Sequence, residues 1–311
     1  MATLISSAAP HIHSKNSSSR IMLDVIIALI PATIASIILF GSKAALLILT
    51  CVITSVVCEL IYSLAAKRGI TIKDNSAVVT GLLLALNLST NVQLWEAAIG
   101  TAFAIIIVKC LFGGLGKNIV NPAIGGRVFM ILVFSSVAGG ANTIFAGVDA
   151  VSSATPLDLI NSGAQLPSLI EMLLGVHGGA IGETCIIALV LGGLYLVLRD
   201  VIRWYVPCTF ICTVFVLTLI FTGSFSVALY SILSGGLFLG AIFMATDYVT
   251  TPITNKGKVL FAFGCGLITF IIRQFLNYPE GVSFSILVMN LLVPFIEMVT
   301  KNTVLGGGKS K

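Results

Sequence analysis

Charge is what this sequence is short of. Only 9% of its 311 residues are Asp, Glu, Lys or Arg, against roughly 25% in soluble domains. That scarcity excludes a water-facing surface over most of the chain. Three histidines, His11, His13 and His177, have no ligand spacing, and the seven cysteines match no metal or disulfide framework. There is no GxGxxG or Walker loop and no arguable Ser-His-Asp set. The chain is therefore not expected to bind NAD itself. What fills it is apolar, with 57% hydrophobic residues in runs of about 20, the length that crosses about 30 Å of hydrocarbon.

The reading is an all-α polytopic membrane protein of about ten transmembrane helices. The candidate spans are Met22–Phe40, Ala44–Ala66, Ala77–Leu88, Leu94–Phe112, Ile119–Val137, Gly182–Leu198, Trp204–Thr222, Ser226–Ala245, Val259–Phe275 and Ser283–Val299. The third is too short to cross alone and is expected to be broken or re-entrant. All seven cysteines fall within these spans and read as buried apolar packing.

The five-and-five split divides the chain into a tail at 1–21, a first half at 22–137, a loop at 138–181, a second half at 182–299 and a tail at 300–311. An odd number of spans per half makes any internal repeat an inverted one. TGLLLAL from Thr80 and SGGLFLG from Ser234 are its faint sequence trace. Thirteen Lys and Arg fall on the side shared by both termini, and only Lys43 and Arg273 on the other. The positive-inside rule then puts both termini in the cytoplasm. Between Arg127 and Arg199 there is no Lys or Arg, so the 138–181 loop is expected to face outward. The net charge of +5 reflects this topology, and no nucleic-acid partner is implied. Within the loop, Leu166–Leu174 reads as a short amphipathic helix lying at the interface.

Thr155-Pro156-Leu157-Asp158 has two readings. It is a helix-start signature, with an N-cap, Pro at N1 and an acid at N3. The same free N–H groups would also steady a phosphoester on the threonine oxygen. Local rules do not choose between them. The wider stretch, Asp149-x-x-Ser152-Ser153-Ala154-Thr155, resembles the acceptor at which a flavin transferase links FMN to threonine through its phosphate. The usual pattern has Gly where this chain has Ser153.

Four further stretches carry the same resemblance: Lys73–Leu86, Gly113–Ala123, Gly182–Thr184 and Gly240–Pro252. Together they resemble the family of the D subunit of the Rnf complex and the B subunit of the sodium-pumping NADH:quinone oxidoreductase. The short segment before the first span is nearer the Rnf members. The resemblance implies a membrane electron carrier. It implies FMN held covalently on Thr155, a second non-covalent flavin such as riboflavin among the helices, and partners in the A, B, C, E and G subunits of Rnf. It also implies electron transfer between ferredoxin and NAD coupled to Na⁺ or H⁺ movement. The alternative is a solute channel or carrier with a related inverted-repeat fold.

Other polar residues keep two readings each. Arg127, in an apolar helix, is a functional candidate by default. It either balances a flavin phosphate or ring anion, or pairs with Glu183 or a helix carbonyl. Asn118 and Asn121 either approach the inner flavin, as the resemblance implies, or cap the fifth helix. Thr80 opens the TGLLLAL stretch and counts with the flavin-binding set. Asp247 counts with that set too; ahead of Thr250 and Thr251, it either coordinates an ion or closes a helix end. Lys109 is expected to snorkel to the membrane surface.

Overall fold

The computed structural model describes residues 17–67, 72–134, 156–162, 166–276 and 281–301. In chain order the helices are α1 (Ser18–Phe40), α2 (Ser42–Ala65), α3 (Ser76–Leu86), α4 (Leu94–Phe103), α5 (Pro122–Val133), α6 (Pro156–Ser162) and α7 (Leu169–Leu174). They continue as α8 (Ile186–Leu198), α9 (Tyr205–Thr222), α10 (Phe225–Leu233), α11 (Leu237–Leu239), α12 (Asn255–Phe275) and α13 (Gly281–Val299). Two of them run on as π-helix: α4 into Ala104–Cys110 and α11 into Gly240–Met244. Among the described residues there is no β-strand.

Among the described residues five helices, α1, α2, α9, α12 and α13, are long and apolar enough to cross a membrane. A sixth span results if α10 and Leu237–Met244 are joined, although they are bent by 62° at the break between them. Outward residues such as Ile34, Ile38, Ile61, Leu132 and Ile220 are more than half exposed. A helix apolar on its outer face as well as its inner one belongs in hydrocarbon. This is a polytopic, all-helical membrane protein.

Several helices are shorter than the apolar runs that announce them. α3, α5 and α8 are short apolar helices, and the described helix in the Ile119–Val137 run is Pro122–Val133. Polar and proline positions set these ends. Asn121 Oδ1 accepts from the N–H of Ala123 at 3.0 Å, with Pro122 in the first turn. Asn87 closes α3 by donating to Leu83 O at 2.8 Å. The third run is the short helix α3, and a sharp break also interrupts the eighth run, between α10 and α11.

The packing pairs elements from the two halves. α1 lies against α8, and α5 against α13. α2 packs on α3 and α4, as α9 packs on α10 and α12; α4 packs on α5 as α12 packs on α13. The short loop helix is found as α7, with Ser168 and Glu171 in a capping box (3.3 and 2.7 Å). α6 begins at Pro156, as the Thr-Pro-Leu-Asp pattern predicts.

The cysteines need a correction. Cys51, Cys110 and Cys265 are buried, but Cys208 and Cys212 are exposed on α9, and Cys185 is the N-cap of α8. In a membrane an apolar thiol gains as much from lipid as from protein contact, so burial cannot be read from apolarity alone.

Close helix contact is clearest at Gly192 of α8, where a Cβ would collide with Ala28 O of α1. Gly192→Val should destabilise the bundle by about 1–3 kcal/mol through overpacking. Leu191→Ala, on the exposed face of the same helix, should change little. Thermal unfolding of the two variants in one detergent checks the difference.

Candidate functional site

Two polar regions are built inside this apolar bundle. The first surrounds the break between α10 and α11. Gly235 and Gly236 hold φ of +69° and +67° there, a left-handed backbone that favours glycine. The break frees helix carbonyls, and a buried cation answers them. Arg273 of α12, 5% exposed, donates to Ser231 O at 2.7 Å, Ser234 O at 3.1 Å and Gly235 O at 2.9 Å. From sequence alone Arg273 counts only as a charge at the outer end of its span.

α6 seats itself at this break. Leu157 is buried, and a Cβ on Gly235 would collide with Leu157 Cδ1 and meet Arg273 Nη2 at 2.6 Å. A Cβ on Gly236 would meet Glu183 Oε2 at 2.8 Å and come within 3.9 Å of Arg127 Nη1. Arg127, 3% exposed, donates to Asn87 Oδ1. Glu183 Oε1 accepts from Ala180 N at 3.0 Å, while its buried Oε2 has no partner among the described residues. Arg127, Glu183 and Arg273 thus gather around one helix break beside the first residues of α6. Thr155, with Asp149, Ser152, Ser153 and Ala154, lies outside the described residues.

The second region is a cavity at the end of the bundle where α1 begins. Ile21, Met22 and Val25 of α1 line it together with Ser76, Val79, Thr80 and Leu83 of α3, Lys109, Asn118, Asn121, Phe243, Asp247 and Tyr248. Four residues singled out in the sequence, Thr80, Asn118, Asn121 and Asp247, therefore share one wall. Both π-helical stretches reach it, through Lys109 and Phe243; π segments are frequent at functional sites.

The local chemistry of these residues differs. Thr80 donates to Ser76 O at 2.9 Å. Asn121 is a helix cap, and its backbone N–H reaches the side-chain oxygen of Asn290 at 3.1 Å while that amide donates to Thr250 O at 3.0 Å. Asp247 closes a turn: Val249 N–H and the Thr250 hydroxyl donate to its carboxylate at 3.2 and 3.0 Å. Burial pushes its carboxyl above the usual carboxylate range, and those two donors pull the other way. Asn118 Oδ1 is buried without a hydrogen-bond partner among the described residues. A buried amide oxygen left without a donor calls for a ligand or water.

Lys109 does not snorkel. It is 1% exposed and forms an ion pair with Glu59 Oε2 at 2.9 Å. Its Nζ also donates to Ser76 Oγ at 2.6 Å, and Ser76 donates on to Asp74 Oδ1. Desolvating a lone ammonium would cost several kcal/mol, roughly, and a facing carboxylate removes the reason to reach for water. The signal for Glu59 was present in the sequence as an acid within an apolar run. Its partner stands 50 residues away, at a distance in the chain that no local pattern spans.

Comparison with known proteins adds the family. The family model described as the NQR2, RnfD, RnfE family matches residues 5–306. The D subunit of the Na(+)-translocating ferredoxin:NAD(+) oxidoreductase complex of Acetobacterium woodii is 43% identical over 312 residues, covering 98% of this chain and 96% of that protein. The D subunit of the proton-translocating ferredoxin:NAD(+) oxidoreductase complex of Clostridium ljungdahlii is 40% identical, covering 96% of this chain and 95% of that protein. The D subunit of the ion-translocating oxidoreductase complex of Shigella boydii is 32% identical, covering 97% of this chain and 98% of that protein. With the match running through both halves and the loop between them, the chain belongs to the NQR2, RnfD, RnfE family.

Proposed function

We propose that this chain is the flavin-carrying membrane D subunit of an ion-translocating ferredoxin:NAD oxidoreductase complex of the Rnf type. The near full-length identity to relatives bearing that name carries the reading. In this reading its partners are the other Rnf subunits, and a flavin transferase during maturation. The redox chemistry is the flavin's; the protein binds it, orients it and sets its electrostatic surroundings.

FMN is carried on Thr155 through its phosphate. The support is the acceptor pattern and the setting of α6, which starts at the next residue beside a helix break flanked by Arg127 and Arg273. Two buried guanidinium groups suit a phosphate and an electron-rich ring. The second, non-covalent flavin belongs in the cavity near α1. Asn118 Oδ1 supplies an acceptor without a donor there, Thr80 a hydroxyl, and Phe243 and Leu83 apolar walls. A ring edge with N–H groups would satisfy that oxygen, so the residues fit such a group.

Ten crossings in two inverted halves complete the reading, with both termini cytoplasmic and Thr155 outward. The paired packing described above supports the repeat: α2, α3 and α4 in one half are matched by α9, α10 and α12 in the other. The same pairing is what would favour a solute carrier. That alternative predicts solute flux through the isolated chain in liposomes and no bound flavin.

Two experiments test the assignment. The chain co-produced with the flavin transferase should fluoresce as a flavoprotein on a denaturing gel, and Thr155→Val should abolish the band. Fluorescence that survives the substitution would contradict Thr155 as the anchor. Asn118→Ala should leave that band intact while the non-covalent flavin recovered from the native chain falls about tenfold, the loss of roughly one hydrogen bond to a buried partner. Unchanged recovery would remove Asn118 from the cavity site.

A further inference from the structure

The Lys109–Glu59 pair is not explained by stability. A buried ion pair gains little over apolar residues of similar volume, since desolvation offsets most of the attraction. Its orientation is informative. Lys109 and Ser76 line the cavity, while Glu59 is not part of its wall. The pair therefore sets its lysine on the cavity wall and its carboxylate behind that wall. Among the described lining residues Lys109 is the one Lys or Arg, and Asp247 the one acid. Tyr248 is the other titratable group on that wall.

The ammonium is held but not saturated. A lysine has three N–H donors. Two are committed, to Glu59 Oε2 at 2.9 Å and Ser76 Oγ at 2.6 Å. The third is left for whatever the cavity holds. Ser76 is itself fixed by Asp74, which accepts from both its hydroxyl and its backbone N–H, the latter at 2.8 Å. The chain Asp74–Ser76–Lys109–Glu59 thus fixes the direction of one positive charge. The π-helical stretch Ala104–Cys110 carries Lys109 at this point.

We propose that Lys109, oriented by Glu59 and Ser76, is the charge-compensating residue of the cavity, favouring its flavin in the reduced, electron-rich state over the oxidised one. This rests on the inner-flavin reading above. A cation near the ring nitrogens where charge accumulates on reduction binds the reduced form more tightly and raises its potential. Glu59 moderates the effect from behind.

The test uses the full-length chain in lipid nanodiscs, carrying Thr155→Val so that its non-covalent flavin is measured alone. Flavin content is read by acid extraction, and the midpoint potential by redox titration at pH 7. Lys109→Met combined with Glu59→Gln removes both charges without stranding either. It should reduce the preference for reduced over oxidised flavin about tenfold, a fall of about 30 mV for a two-electron couple. Glu59→Gln alone, which keeps the cation and removes its counter-charge, should move the midpoint upward. Lys109→Arg should stay near the parent. A packing role would not give shifts of opposite sign. Where the double variant fails to insert, Glu59→Gln and Lys109→Arg carry the test. Flavin retained with unmoved midpoints, or shifts of one sign in both neutralising variants, overturns the proposal alone. A parent chain without extractable flavin overturns the inner-flavin reading and this proposal with it.

Discussion

Backbone groups freed inside an apolar bundle must find partners within the protein, because hydrocarbon offers none. That constraint shapes this molecule. Its longest helices satisfy themselves along their own length, but α3, α5 and α10 stop within the polypeptide and leave carbonyls or N–H groups exposed to apolar neighbours. Each end is closed by a buried polar side chain: Asn87 for α3, Asn121 for α5 and Arg273 for α10. Asn290 of α13 ties Asn121 to Thr250, so the closure of one half depends on the other.

The two polar regions follow from those endings. Around the α10–α11 break, the cation needed to close the helix also brings Arg273 beside α6, with Arg127 and Glu183 opposite. Near the start of α1, the polar approach to α5 supplies Asn118 and Asn121 to the cavity wall. A protein that handles electrons in a membrane needs charge and hydrogen bonds at fixed places in a low-dielectric setting, where each is worth more than in water. Interrupted helices supply such places, and uninterrupted ones do not.

Much of the fold was legible from apolar runs alone. α1, α2, α9, α12 and α13 coincide with expected spans to within a few residues, because only hydrophobic length decides them. The short helices were less legible, since their ends depend on Asn87, Asn121 and a Gly-Gly break whose partners lie elsewhere in the chain. The cavity set of Thr80, Asn118, Asn121 and Asp247 came from family motifs, and the fold gathers those four on one wall. Lys109 was misread because Glu59 lies on another helix. Cys208 and Cys212 were misread because lipid, like a protein core, accepts an apolar thiol. Asp247 turned out to close a turn through Val249 and Thr250, one of the two roles its sequence allowed.

The central claim is that Thr155 carries FMN as a phosphoester on the segment leading into α6. Mass analysis of the proteolytic peptide containing Thr155, from chain matured with the flavin transferase, addresses it directly. A phosphoester there gives a mass increment equal to FMN less one water, with fragment ions assigning it to Thr155. An unmodified peptide from a chain shown to have met the transferase, or an increment on Ser152 or Ser153 instead, would contradict it.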